Sequence, residues 1–269
     1  MTSRTWEYAR PREVASIDDC YFYHSMDLPG HGAIGGEWDL RGREQVYLGG
    51  IELAGKTVLE VGPASGALTF WMERQGAEVT AYDLTPEHDQ DLVPYAGSDL
   101  ERERAAGNET LRLFNNAFWF AHAAMGSAVR VVNGTVYDIP PDLGPVDIAT
   151  VCSVLIHTRD PFQALERASA PATETMVVTD MLVRPRWHKV LGRFQEPRMQ
   201  FLPDAADPTR HAYWWTLPPE LVQRMLGVLG FGRSTVTLHE QPFADDQGRR
   251  PVPLYTVVAH RTRSLSRAG

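Results

Sequence analysis

A chain of 269 residues, 43% hydrophobic and 22% charged, is long enough to bury one large core, and 34 acidic against 26 basic residues give a formal charge of -8. That balance leaves no broad basic footprint for a phosphate backbone and disfavours nucleic acid as a partner. Two cysteines, Cys20 and Cys152, cannot build a disulfide scaffold, no run of about 18 apolar residues exists to span a bilayer, and the first residues lack the apolar stretch of a secretory leader, so the expected compartment is the reducing cytoplasm.

The first fifty residues are irregular and form an N-terminal cap segment in this reading, with residues 51 to 269 as the core. Within the cap, Tyr21, Tyr23, His24 and Asp27 are spaced to line one wall of a pocket, and Trp38 and Arg41 follow in the turn-like "GGEWDLRG". From "TVLEV" (57 to 61) onward, short apolar runs alternate with helical patterns, the signature of a parallel sheet covered on both faces. A helix is expected from about Ser65 to Gln75, with Ser65 as its cap and Gly76 as its stop. "EVTAYD" is the second strand, and a helical stretch falls within residues 85 to 127. There Phe118, Trp119 and Phe120 are consecutive, so one of them must face a second surface. "AVRVV" (128 to 132), "VDIATVCSVL" (146 to 155) and "TMVVTDML" (175 to 182) read as further strands, with a helix after Pro161 that Asp160 would cap.

Residues 183 to 217 stand outside the repeat as a lid-like insertion carrying Tyr213, Trp214 and Trp215. After a helix at 219 to 230, "STVTLHEQ" and "PLYTVVAHR" read as an antiparallel hairpin joined by the turn-rich "PFADDQGRRPV". The expected fold is therefore α/β, an open and mostly parallel sheet ending in an antiparallel hairpin.

The chemistry gathers where the first strand ends. Glu60 sits among buried apolar residues just before the glycine turn "GPASGA", and Asp83 closes the neighbouring strand. A dinucleotide would need G-x-G-x-x-G, and here Ala64 and Ala67 take the second and third glycine positions while Glu60 is an anion close to where a pyrophosphate would lie. A cationic ligand reverses that argument. S-adenosylmethionine carries a sulfonium and an ammonium, so Glu60 can face its amino acid end. Gly62 and Gly66 keep the turn open, and Asp83 can accept both ribose hydroxyls.

With "EVGPASG" and "AYD" in place, the chain over roughly residues 55 to 260 resembles the class I S-adenosylmethionine-dependent methyltransferases, with Ala64 at the middle glycine. The resemblance implies a Rossmann-like seven-stranded sheet and places Glu60, Gly62, Ala64, Gly66, Asp83, Leu84 and Cys152 around the cofactor. It sets "NGTVYDIP" against adenine through Thr135, Val136 and Asp138, with the amino-group contact open between Thr135 and Asp138. "VCSVLIHTRDP" looks like the family's fourth-strand motif, and His157 in it is either a general base or a residue that orients the wall, with His24 or Tyr21 near the acceptor. The lead-in "YFYHSMDLPGHGAIGGEWDLRG" looks like that of a subgroup containing the tRNA wobble-uridine carboxymethyltransferase and many small-molecule enzymes. The expected activity is methyl transfer to an oxygen, nitrogen, carbon or sulfur atom of a small acceptor, of the kind met in secondary metabolism. A tRNA-modifying methyl or carboxymethyl transferase and an NAD(P)-dependent oxidoreductase are the alternatives. The scattered histidines offer no metal pair, so no metal is expected, and no G-x-S-x-G elbow or GKS/T phosphate loop is present.

Overall fold

The computed structural model describes residues 6 to 182 and 196 to 264, so residues 183 to 195 of the expected lid lie outside the described residues. Seven strands make the central sheet: β1 (Thr57–Val61), β2 (Glu78–Asp83), β3 (Arg130–Asn133), β4 (Val146–Cys152), β5 (Ala172–Met181), β6 (Arg233–Asp245) and β7 (Gly248–His260). Their spatial order is β3-β2-β1-β4-β5-β7-β6. The first five run parallel, while β7 inserts antiparallel beside β5 and pairs with β6. This is the α/β architecture expected from the alternating pattern. The order reverses at β1, and open sheets of this kind bind ligands at that point, beyond the carboxyl ends of the strands.

Both sheet faces are covered, which is why the central strands are apolar without alternation. Val58, Val79, Ala81, Ile148 and Val177 pack against α1 (Ala67–Arg74), α2 (Leu100–Met125) and the N-terminal segment. Leu59, Val61, Ala149, Val151 and Val178 pack against α3 (Pro161–Ser169) and α4 (Pro219–Val228) on the other face. Among the described residues no helix is long and apolar enough to cross a membrane.

The boundaries differ from the sequence pattern in instructive places. Ser65 does not cap α1; Gly66 holds the N-cap position at φ +87° without a side-chain bond, and the Ser65 hydroxyl instead accepts the His24 backbone N–H at 3.2 Å. The strand expected over 146 to 155 stops at Cys152, because Ser153 turns to φ +56° and Leu155–His157 form a turn of 3-10 helix. The "PFADDQGRRPV" stretch is not a loop. The ladder continues through Pro242 opposite Pro251 to Asp245 opposite Gly248, leaving a turn of two residues. Asp160 does cap α3, its carboxylate accepting the Gln163 N–H at 3.0 Å with Pro161 in the first turn.

The N-terminal segment joins both edges of the sheet. At one edge the Ala9 N–H donates to the Val131 carbonyl of β3 at 2.8 Å. At the other, Asp39 N–H donates to the Pro242 carbonyl at 3.0 Å and Ala244 N–H to the Glu37 carbonyl at 2.7 Å. Between these ties the consecutive aromatics of α2 divide their faces. Phe118 meets Phe70 of α1 at 5.2 Å, while Phe120 faces Phe22 and His31 of the N-terminal segment at 6.5 and 4.8 Å.

Candidate functional site

β1 and β2 are adjacent and in register, Glu60 opposite Ala81, so Asp83 stands two residues further along and level with the turn after β1. That turn is strained on purpose. Gly62 at φ +76° and Gly66 at φ +87° adopt left-handed backbone, and a Cβ at Gly62 would lie 2.6 Å from Val154, at Gly66 2.4 Å from Phe70. Ala64, which stands where the family pattern has its middle glycine, is also left-handed, at φ +49°. An alanine there costs about 1 to 2 kcal/mol, of which a glycine would return part as unfolded-chain entropy of about 0.4 to 1 kcal/mol. Ala64→Gly should therefore stabilise the free protein by about 0.5 kcal/mol, read as a small rise in Tm; a lower Tm contradicts the strain.

The turn's backbone serves Asp83. Its carboxylate accepts the Leu84 N–H at 2.8 Å and the Ala64 N–H at 3.3 Å, and burial pushes its pKa up to about 7 despite those two donors. Glu60 is 3% exposed and accepts the hydroxyl of Thr69 from α1. Burial, with a smaller contribution from the Asp83 charge, pushes its pKa up to about 8. Among the described residues neither carboxylate has a cationic side chain in contact with it.

Beside Asp83 a crevice opens over the strand ends, lined by Gly62, Leu84, Thr135, Val136 and His157 among others. At its floor a Cβ on Gly134 would sit 2.0 Å from the Tyr82 hydroxyl, so that position admits no side chain. Asp138 is exposed and stands behind Thr135, whose hydroxyl donates to it; of the two, Thr135 is the one at the crevice. Cys152 is not part of the crevice lining. It lies within electrostatic reach of Glu60 and of Asp180, and burial pushes its thiol up to about 12, so it is neutral.

The three catalytic candidates separate. His157 is on the crevice wall, its Nδ1 2.7 Å from the Ala212 carbonyl and its ring 5.2 Å from Tyr213, and burial holds its pKa below the ordinary value. His24 is half-buried beside the glycine turn, with burial lowering its pKa to about 4 and its buried Nδ1 lacking a partner. Tyr21 is not brought to the crevice. It is 38% exposed, its hydroxyl bonds Glu37, and its ring stacks on Phe114 at 5.2 Å in an open groove shared with Asp245 and Asp246. Tyr23 is the inward tyrosine, accepting the Trp38 indole N–H at 3.0 Å and meeting the His24 ring at 4.9 Å.

Three features escaped the sequence. Asp89 and Asp91, from the long β2 to α2 connection, line the crevice. Asp91 is fastened there by the Tyr137 hydroxyl and the Arg159 N–H, 2.8 Å away, and its carbonyl accepts the Trp214 indole at 2.7 Å. Asp180 at the end of β5 is 3% exposed and has a free oxygen. Trp215 bonds the Arg159 carbonyl at 3.0 Å, so Trp214 and Trp215 are both anchored to the crevice wall. Among the described residues no group of three or more His, Cys, Asp and Glu side chains could hold a metal ion.

No family model matches the chain, and no curated protein matches it. Solved structures do resemble its path at low identity. Magnesium protoporphyrin IX methyltransferase from Synechocystis with bound S-adenosylhomocysteine is 13% identical, with 78% of this chain and 76% of that one covered at a TM-score of 0.44. The 1,6-didemethyltoxoflavin N1-methyltransferase of Burkholderia thailandensis is 15% identical, with 83% and 78% covered at 0.47. A Rhodobacter sphaeroides protein provisionally assigned as a zinc-dependent alcohol dehydrogenase is 15% identical, with 82% and 90% covered at 0.49. Likeness this remote, spread over differing assignments, leaves the chemistry to the chain's own residues.

Proposed function

We propose that this chain is an S-adenosylmethionine-dependent methyltransferase acting on a small acceptor. The observation that carries the reading is the pair Glu60 and Asp83: one buried and one half-buried carboxylate on neighbouring strand ends, both with pKa raised by burial, around a backbone turn kept open by Gly62 and Gly66. Buried anions without a counter-charge are costly, and a cationic ligand is what removes the cost. Asp83 would take the ribose hydroxyls, Leu84, Thr135 and Val136 would flank the adenine, and Glu60 with the neutral His24 would meet the amino acid end. When bound, the cofactor supplies an activated methyl group. The protein's part is then placement and exclusion of water.

The N-terminal segment, residues 1 to 50 in this division, would act as a cap over a core of residues 51 to 269, a reading supported by His24 seated on Ser65. A small acceptor fits better than tRNA, since the charge is -8. Both cysteines are free thiols, in keeping with a cytoplasmic setting. A nicotinamide dinucleotide is disfavoured by the same crevice, where Asp83, Asp89 and Asp91 would oppose its phosphates.

Thermal shift separates the readings. S-adenosylmethionine and S-adenosylhomocysteine should raise Tm by several degrees at 100-fold excess over Kd, a stabilisation of about 2.7 kcal/mol, and NADH and NADPH should not. Stabilisation by the nicotinamides alone would refute the methyltransferase reading.

A further inference from the structure

Resting on the methyltransferase reading, we propose that Asp180 receives the acceptor, and that the acceptor's nucleophile is a nitrogen or oxygen that carries hydrogen, an amine or an alcohol. Its N–H or O–H donates to the free carboxylate oxygen. As the new bond to the methyl carbon forms and the carbon–sulfur bond breaks, the electron pair stays on sulfur as a neutral thioether and the proton passes to Asp180 and then to solvent.

Position comes first. The register pairs Val61 with Val151, Val151 with Val178 and Cys152 with Thr179, so Asp180 lies one residue beyond the last paired level of β4, beside Ser153. Strands are spaced about 4.8 Å apart, which puts β5 roughly 10 Å from β1. A cofactor held by Asp83 on β2 and Glu60 on β1 leaves the next strand ends, β4 and β5, for the second substrate. Asp180 is the carboxylate there.

Its bonding is incomplete. Oδ1 accepts the Met181 N–H at 2.7 Å, and Oδ2 is buried with no partner. Other orphaned atoms among the described residues include the Tyr95 and Thr150 hydroxyls and the Gln241 amide oxygen, but Asp180 is the acid among them. A buried polar atom left bare is costly, more so if charged, and such an atom at a strand end on the carboxyl side of the sheet calls for a ligand that donates to it. Next to it Ser153 holds φ +56°, unusual for a residue with a side chain, and its hydroxyl is 3.1 Å from the Tyr47 hydroxyl. Strain of this kind persists where the surroundings fix it, and functional sites are where it gathers.

Among the described residues, the titratable groups in electrostatic contact with Asp180 are Tyr47 of the N-terminal segment, Cys152 of β4 and Tyr255 of β7. Burial raises all three, so none is charged at neutral pH and none offers a counter-charge. Burial likewise pushes Asp180 up to about 7, where it can both accept and release a proton.

The test uses Asp180→Asn and Asp180→Leu in protein saturated with S-adenosylhomocysteine, with benzylamine, benzyl alcohol and ethylbenzene as probes of similar shape. Benzylamine and benzyl alcohol at millimolar concentration should raise the Tm of the natural protein and ethylbenzene should not. Either substitution should weaken the two binding probes at least tenfold while affinity for S-adenosylhomocysteine stays within twofold. Independently of any probe, the folded pKa of Asp180 is above its unfolded value, so its ionisation lowers stability as pH rises from about 4 to 7. Asp180→Asn should therefore raise Tm clearly more at pH 8 than at pH 5. Probe affinity retained by the variants, no binding of either donor probe to the natural protein, or a lower Tm of Asp180→Asn at pH 8 overturns the proposal. Failure of the natural protein to bind S-adenosylhomocysteine, read before any probe is added, removes the underlying methyltransferase reading as well.

Discussion

Asp83→Ala is expected to weaken binding of S-adenosylhomocysteine by at least about 100-fold in isothermal calorimetry. Two hydrogen bonds to a charged acceptor are worth about 1.5 to 3 kcal/mol each, and each 1.4 kcal/mol is a factor of ten. Asp83 already accepts two backbone N–H groups, from Leu84 and Ala64, and those fix its carboxylate beside the crevice. Asp83→Asn keeps the shape and one good acceptor, so it should lose less, on the order of tenfold. Circular dichroism of both variants should match the natural protein. Affinity unaltered by Asp83→Ala would remove the ribose role and with it the main support for the cofactor.

The second large effect is in pH. Glu60 and Asp83 rise to about 8 and about 7 because burial penalises their charged forms, and they influence one another, so they titrate as a pair. At pH 7 the pair holds more than one proton on average. A bound sulfonium and ammonium favour both carboxylates ionised, so S-adenosylmethionine should expel between one and two protons per molecule near pH 7 and its affinity should climb more than tenfold per pH unit between 6 and 7, levelling above pH 8. Calorimetry in two buffers of different ionisation enthalpy counts the protons directly, and Glu60→Gln should diminish the count. The free protein should show the opposite slope. Both folded pKa values exceed the unfolded ones, so these two groups make it most stable near pH 4 and less so as pH rises to 8. Binding that is independent of pH over this window contradicts the pairing of these two acids with a cation.

Much of this was legible in the residues, for physical reasons that can be named. A strand buried on both faces must be apolar, so Val58, Leu59 and Val61 announced β1, and Glu60 among them stood out because a lone carboxylate there is expensive. Asp83 followed from its place at the end of the adjacent strand. Cap chemistry worked for Asp160, whose side chain has a free backbone N–H to meet, and failed for Ser65, whose hydroxyl was taken by a residue 41 positions away. Turn composition failed for Pro242 to Val252. Prolines can sit opposite one another in a ladder when neighbouring chain covers the edge, and the residues supplying that cover, Glu37 and Asp39, are some two hundred positions distant. Tyr21 and Tyr23 point the same way in an extended segment, and only contact with Trp38 and His24 against contact with Phe114 and Glu37 decides which one turns inward. Asp91 and Asp180 left no local signal, since an acid in a polar connection or at a strand end is ordinary until its neighbours are known.

The N-terminal segment is fastened to β3 through Ala9 and to β6 through Glu37 and Asp39. A band tied at both rims of a plate is held at two points rather than hinged at one, and the same stretch of polypeptide occupies part of each edge that would otherwise invite another chain to stack. Trimming the protein back to its α/β core would in one cut uncover His24's seat on the glycine turn and free the β3 and β6 edges for another chain to stack on.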